Sequence, residues 1–338
     1  MRIAVLGLGF MGSTHLKALR TIPGAQLAAV YSSDTAKLSG DLRGVQGNIG
    51  APGENFDFSG VAKYSRIDAL LADSSIEAID ICLPTNLHAQ VAIQALRRGK
   101  HVLVEKPMAL DIVECASMLA AAREHDRVLM TAQVLRFFPM YQVLAGALSP
   151  GELGPVRSAA FRRRCAAPAR KAWLTDAKQS GGGVFDLLIH DVDICLRLFG
   201  MPESVSATGY VATDSGIDVI DAGLHYRGRF TAAVTGGWHH LRSFPFLMEY
   251  TVVTEGGTVD YSSAGRPPTL YHANGEEELL TMTDSDGYTA ELAYFLDCCR
   301  AGKEPALCPP EESAEAVALM RLLLEARNRN GEGMQCNI

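Results

Sequence analysis

The sequence predicts an α/β chain in two parts. An N-terminal doubly wound parallel sheet is expected over residues 1–134, and a C-terminal α+β part over residues 135–338, built on an open, mostly antiparallel sheet. Three observations predict this. The apolar run from Arg2 to Leu6 passes through Gly7-Leu8-Gly9-Phe10-Met11-Gly12 into a segment whose Leu16, Leu19 and Ile22 recur at helical spacing. Strand-like and helix-like stretches then alternate as far as Gln133, the pattern of βαβ units. Beyond Leu135, strand-like runs follow one another with a single long helix among them, which favours antiparallel pairing.

In order, residues 2–6, 26–31, 78–83, 101–105 and 128–133 read as the strands of the first part, because each is an apolar run of strand length ending in a polar or proline break. Helices are expected at about 87–98 and 110–125, and a helix with an irregular insertion in the Gly-, Asp- and Asn-rich stretch 35–65. In the second part the β-like runs are 156–165, 205–213, 219–226, 230–236 and 247–254, and two helices at 288–300 and 310–328 close the chain.

A length of 338 residues exceeds most single cores, and 48% hydrophobic against 20% charged residues excludes disorder as the main state. A net charge of −7 opposes a phosphate backbone, so nucleic acid is not an expected partner. No run approaches the roughly 18 apolar residues of a membrane span, and the N-terminal apolar run lacks a signal-peptide cleavage pattern. A soluble, cytoplasmic protein is expected. The eight cysteines form no CxxC pair, so reduced thiols are expected rather than a disulfide framework or a zinc site.

Gly7, Gly9 and Gly12, with Phe10 and Met11 between them, fit GxGxxG, in which the glycines serve a tight turn, backbone approach to a pyrophosphate, and helix–strand packing. Following a strand and opening a helix, the motif predicts an NAD(P)-binding, Rossmann-type domain. Ser32 and Ser33 stand where an acidic ribose clamp for NAD is expected, Asp34 comes slightly late, and Lys37 is near. This leans the cofactor toward NADP. The strand ends Leu83-Pro84-Thr85-Asn86-Leu87-His88 and Glu105-Lys106-Pro107 are the other expected ligand-facing loops, since ligands of open α/β sheets lie outside the carboxyl ends of the strands.

Together with GxGxxG, the stretch from Pro84 through Gly99-Lys100-His101-Val102-Leu103-Val104-Glu105-Lys106-Pro107 resembles the glucose-fructose oxidoreductase and inositol dehydrogenase (Gfo/Idh/MocA) family. The likeness continues through Arg136-Phe137-Phe138-Pro139, Gly151-Glu152-Leu153-Gly154, Ser180-Gly181-Gly182-Gly183, Asp186-Leu187-Leu188-Ile189-His190, Glu291 and Phe295. The resemblance implies an NAD(P)-dependent oxidoreductase acting on a sugar, cyclitol or related polyol, with Lys106 beside nicotinamide and substrate. It places Pro84, Thr85, Asn86 and His88 near the cofactor, with Leu83 and Glu105 beside them, and Asp186 and His190 on the substrate side. Gln133-Val134-Leu135 departs from the Asn that many members carry there.

At i and i+4 of a helix, Asp186 and His190 share a face. The imidazole suits the role of base toward a hydroxyl proton, with Asp186 fixing its tautomer, and a Lys106 ammonium would stabilise alkoxide character. A metal reading of His190-Asp191-Val192-Asp193 is set aside because Asp191 faces elsewhere on a helix. Arg162-Arg163-Arg164 reads as an alternating, half-solvated strand, and at most one of His239 and His240 can reach a cleft. Trp173 is read either as lining a sugar site or as a core or interface residue. The alternatives to a dehydrogenase are an NAD-dependent glycoside hydrolase on the same fold and a non-catalytic dinucleotide sensor. A homodimer or homotetramer is expected, because an open sheet with few helices leaves one face to cover.

Overall fold

The computed structural model describes residues 1–47, 52–149, 151–167, 172–212, 217–228, 230–240 and 243–337. Its elements run β1 (Arg2–Leu6), α1 (Phe10–Leu19), β2 (Gln26–Tyr31), β3 (Ala62–Tyr64), α2 (Ile67–Leu71), β4 (Ala78–Ile81), α3 (His88–Arg97), β5 (His101–Glu105), α4 (Ile112–Glu124), β6 (Leu129–Ala132), α5 (Pro139–Leu148), β7 (Val156–Ala166), α6 (Ala172–Thr175), α7 (Ala177–Ser180) and α8 (Gly182–Phe199). The chain continues through β8 (Ser204–Ala212), β9 (Ile217–Tyr226), β10 (Phe230–His240), β11 (Leu247–Thr254), β12 (Gly257–Ser262), β13 (Arg266–His272), β14 (Glu277–Leu279), α9 (Gly287–Ala301), α10 (Pro310–Asn328) and β15 (Met334–Gln335). Thr213 and the side chain of His239 lie outside the described residues.

Two compact units form, one from Met1–Val134 with Asp286–Ala314 and the other from Leu135–Ser285 with Glu315–Ile338. In the first, six parallel strands lie in the order β3-β2-β1-β4-β5-β6, so the winding reverses between β1 and β4. Strands β4 and β6 are buried at every position, as a parallel sheet covered on both faces requires. A switch point of this kind opens a crevice at the carboxyl ends of the strands, where the glycine loop and the loops after β4 and β5 lie.

Residues 286–314 belong with this first unit, although the sequence reading groups them with 135–338. The reason is burial. Helix α9 places Leu292, Phe295 and Leu296 at zero exposure and packs on α1. The Arg300 guanidinium reaches the Pro23 carbonyl at 3.2 Å, and the Cys308 thiol reaches the Thr131 carbonyl at 3.2 Å. A second difference is local. After β2 the chain makes a 3-10 turn over Thr35–Ser39 in place of the expected helix, ended by Gly40 at φ 98° and followed by an isolated bridge between Asp41 and Asn55. Gly40 is held against the Phe56 carbonyl, where no side chain fits, so the turn cannot continue.

The second unit carries nine strands in the order β14-β13-β12-β11-β7-β10-β9-β8-β15. All pairings are antiparallel except β7 with β10. Helices α8 and α5 pack on the sheet. Buried arginines lock the helices to what they cover. Arg163 of β7 makes a bidentate pair with Asp191 of α8, at 2.9 and 3.0 Å, and reaches the Tyr141 hydroxyl of α5 at 3.0 Å. Arg136 holds Asp193 at 2.6 and 2.9 Å. These pairs account for the two aspartates that follow His190. No helix among the described residues is long and apolar enough to cross a membrane.

Since Arg163 and Asp191 are both buried, removing one leaves an uncompensated charge. Asp191→Ala is expected to destabilise the second unit by about 3–5 kcal/mol. The joint replacement Arg163→Met with Asp191→Leu is expected to recover most of that loss. Urea midpoints of the three proteins check it, and equal midpoints for single and double variants would contradict it.

Candidate active site

The glycine loop sorts its three glycines by what each one approaches. Gly7, at φ 102°, lies against the Cys82 carbonyl at the end of β4, and Gly12 lies against the Gly7 carbonyl, so neither position has room for a Cβ. Gly9 differs, because a Cβ there would meet no protein atom within 4 Å. Its backbone is extended, with φ −87°, so conformation does not demand glycine either. The bare backbone therefore leaves room for something that comes from outside. The first turn of α1 has no side-chain cap and no acidic residue, so its amides and positive dipole end face that opening. These features fit a pyrophosphate. Phe10 and Met11 are half-buried, and Gly47 lies against the Phe10 ring.

At the end of β2, the Ser32 hydroxyl accepts the Asp34 amide at 3.1 Å and is buried, so it serves its own backbone. Ser33 is exposed, and the Asp34 carboxylate accepts the Ala36 amide at 3.2 Å as the cap of the turn. Of the two serines predicted to meet the ribose, the structure leaves Ser33 available. After β4, Leu83 and Thr85 are buried, Pro84 is half-buried and Asn86 is exposed. The His88 ring is buried with its two nitrogens 2.9 Å from the carbonyl oxygens of Leu83 and Pro107. Burial pulls its pKa down, and a neutral ring donates to one carbonyl at a time. The His88 ring thus ties the loops after β4 and β5 together. Lys106 is half-buried at the end of β5. Just past β6, Gln133 is buried with neither end of its amide partnered among the described residues. A buried polar group left this way costs about 1–3 kcal/mol.

Beneath the glycine loop lies a cluster that the sequence reading missed. His15 of α1 is fully buried, with Nδ1 2.9 Å from Asp80 Oδ2 of β4 and Nε2 3.2 Å from Glu105 Oε1 of β5. The second contact is an ion pair without hydrogen-bond alignment. Burial alone would lower the His15 pKa, but Asp80 outweighs it and holds the imidazole well above its usual range. Glu105 Oε2 accepts the Lys106 amide at 3.1 Å. The Glu105 carboxylate thus meets His15 and its own neighbour. The Cys82 thiol lies 3.5 Å from both Asp80 Oδ1 and His15 Nδ1, and burial pushes its pKa up. His15, Asp80 and Cys82 offer ligand atoms within 4.8 Å of one another. The 2.9 Å approach of Nδ1 to the Asp80 carboxylate is also the distance of a direct hydrogen bond. One signal was available in the sequence: Ala78-Ile79-Asp80-Ile81 carries a carboxylate in an otherwise apolar strand, and a buried charge needs a partner.

In the second unit, Gly181 at φ 82° and Gly182 at φ 88° turn the chain from α7 into α8. Gly182 lies against the Asp218 carboxylate, which accepts the Val184 amide at 3.0 Å and is held in turn by Arg327 at 2.7 Å. Gly183 lies under the Trp238 ring. The glycine run therefore seats the first turn of α8 against β9 and β10. Between Gly182 and Leu196, the two positions of α8 that are not buried are Asp186 and His190. Trp173 packs on the cluster of Cys165, Leu174, Leu187 and Trp238, a core role. Arg162 and Arg164 turn away from Arg163 and pair with Glu249 at 3.1 and 2.8 Å.

Comparison with known proteins agrees with this geometry. Residues 1–133 match the family model described as an oxidoreductase family with an NAD-binding Rossmann fold, and residues 141–260 match the GFO/IDH/MocA C-terminal domain. The chain is 31% identical to UDP-N-acetylglucosamine 3-dehydrogenase of Acidithiobacillus ferrooxidans, over 96% of this chain and 95% of that one. It is 28% identical to scyllo-inositol 2-dehydrogenase (NAD(+)) of Bacillus subtilis, over 100% of this chain and 97% of the relative. An Agrobacterium radiobacter oxidoreductase solved in complex with NAD+, L-tartaric acid and magnesium shares the fold, with a TM-score of 0.82 at 19% identity, over 99% of this chain and 98% of that one. The chain belongs to the Gfo/Idh/MocA oxidoreductase family.

Proposed function

We propose that this protein is an NAD(P)-dependent dehydrogenase that oxidises, and in reverse forms, a secondary alcohol or hemiacetal of a sugar, cyclitol or related polyol. One observation carries the reading beyond family membership: α8, buried on either side, keeps Asp186 and His190 half-buried on one face. An i, i+4 acid–imidazole pair left accessible on a buried helix has a proton to exchange. The names of the relatives, a cyclitol dehydrogenase and a nucleotide-sugar dehydrogenase, support the substrate class.

The backbone at Gly9 and the first amides of α1 would hold the pyrophosphate of the dinucleotide, Ser33 would meet the ribose, and Pro84, Thr85, Asn86 and Gln133 would line its path. When bound, its nicotinamide supplies the hydride acceptor or donor. His190 Nδ1 or Nε2 takes the hydroxyl proton as the carbon is oxidised, and Asp186 orients the ring and stabilises its charged form. The Lys106 ammonium favours negative charge on the reacting oxygen. Glycoside hydrolysis through transient oxidation uses the same residues but returns the cofactor unchanged. Net accumulation of reduced cofactor with a polyol therefore separates the two reactions. An assay of both cofactors with inositols, aldoses and a UDP-sugar, followed by nicotinamide absorbance, tests the reading. A panel without turnover would favour the sensor.

Two variants probe the roles in that assay. Lys106→Met is expected to lower turnover by ~10²–10³ with cofactor affinity weakened less. His190→Asn is expected to lower alcohol oxidation by ~10²–10⁴ and to abolish the rise in oxidation rate with pH that the wild type shows. An unchanged pH profile would place the base elsewhere.

For the cofactor, we propose a preference for NADP, supported by the exposed hydroxyl of Ser33 where a carboxylate would repel a 2′-phosphate, with Lys37 half-buried in the following turn. Ser33→Asp is then expected to weaken NADPH binding more than NADH binding by at least about 1 kcal/mol. Fluorescence titration of both cofactors checks this, and a strong wild-type preference for NADH would assign the ribose to Asp34.

We also propose a homodimer or homotetramer built on the sheet face of the second unit that carries Ala160, Arg162 and Thr251. The opposite face meets α5 and α8 through Arg163, whereas this one carries small and paired polar side chains. Sedimentation at micromolar concentration is expected to show at least a dimer, and a monomer would overturn it.

A further inference from the structure

His15 is the only group through which the glycine-loop helix touches the carboxylates of both β4 and β5 among the described residues. Nδ1 lies at hydrogen-bond distance from Asp80 and Nε2 lies 3.2 Å from a Glu105 oxygen, so the ring with both nitrogens protonated sets its positive charge between the two carboxylates. One of those partners reaches the lysine: Glu105 meets His15 through Oε1 and accepts the Lys106 amide through Oε2. The contacts form one path, from α1 through an imidazole and a carboxylate to the backbone of Lys106. All its members are nine-tenths or more buried up to that amide. Beside the imidazole stands Tyr288 of α9, its ring 6.5 Å away.

We propose that His15 is a positioning residue, which by bridging Asp80 and Glu105 fixes the Glu105 carboxylate that holds the backbone of Lys106, and so ties the lysine to the dinucleotide loop. The inference rests on the reading of Lys106 as a catalytic residue. Without His15, two buried carboxylates lose their shared counter-charge. Glu105 must then turn toward water or take up a proton, and in either case its grip on the Lys106 amide changes. Gly9 and the first turn of α1 do not depend on that grip, so the dinucleotide site is expected to survive. The loss therefore falls on turnover rather than on cofactor affinity.

The test reads the ligand-free protein first. In His15→Gln, hydrogen exchange at the Lys106 amide is expected to quicken at least tenfold, while the amides of Val102 and Val104 inside β5 keep their wild-type rates. The Kd for NADH is expected to stay within threefold, and kcat on a polyol that the wild type oxidises is expected to fall ten- to a hundredfold. Glu105→Gln should give a loss of the same size, and the double variant should be no slower than the slower single one, because both act through one contact. If His15→Gln does not fold, Asp80→Asn is read in the same way, with a kcat loss of about threefold to tenfold expected. Unchanged Lys106 exchange in a folded variant, additive losses in the double variant, or a loss confined to NADH affinity would each overturn the proposal. Lys106→Met separates this failure from that of the dehydrogenase reading. If it leaves turnover intact, the reading of Lys106 fails; if it abolishes turnover while His15→Gln does not reduce it, the positioning role alone fails.

Discussion

The contact on which the first unit depends is the approach of Gly12 to the Gly7 carbonyl and of Gly7 to the Cys82 carbonyl. Any side chain at either position would push α1 away from the ends of β1 and β4. The close seat does two things together. It brings the first amides of α1 to the switch point of the sheet, where a dinucleotide would meet them. One turn further on, it places His15 deep enough to lie between Asp80 and Glu105. Anion site and buried charge network are therefore consequences of one packing constraint, and Gly9, which packs on nothing, is the part of the loop left over for ligand.

Much of the fold is legible because period and length agree. Strands β1, β2, β5 and β11 match their apolar runs residue for residue, and α10 spans the predicted helix 310–328. The losses have physical causes. Strand β3 is three residues long, too short to show a period. Strand β13 opens Arg266-Pro267-Pro268, and a residue without an amide hydrogen argues against a strand. The prolines fit because the register with β12 shifts between Asp260 and Ser262, so the ladder asks no donor of them. Helix α5 hides behind Pro139, which a first helical position accepts. That α9 returns to the first unit is a tertiary fact, set by what its apolar face meets across the fold.

The candidate site is legible where a motif carries its own geometry and illegible where a residue meets its partners across the fold. Gly7, Gly9, Gly12, Lys106, Asp186 and His190 stand at turns, a strand end and one helix face, positions that local pattern fixes. Ser32, His88 and Glu105 occupy the same kind of position, yet each spends its polar atoms on neighbouring protein groups. Spacing could not separate the two sets, because the difference lies in which partner a side chain finds across the fold. His15 shows the converse, since a histidine among helical apolar positions reads as core until Asp80 is seen to need it.

Charge is handled alike in both units. Asp80, Glu105, Asp191, Asp193 and Asp218 are carboxylates buried against His15, Arg163, Arg136 and Arg327, each bound by a partner on another element. Breaking such a pair costs far more than forming it gains, so these groups are anchored and hold the helices to their sheets. On α8 the helical period does the sorting. Asp191 and Asp193 turn toward arginines, and Asp186 and His190, on the remaining face, stay half-buried. A proton is exchanged more readily at a group that is half-buried than at one buried within a fixed ion pair. The sequence His190-Asp191-Val192-Asp193, which looks like one acidic cluster, is thus two kinds of site. The helix buries its aspartates against arginines and keeps the histidine half-buried on the other face.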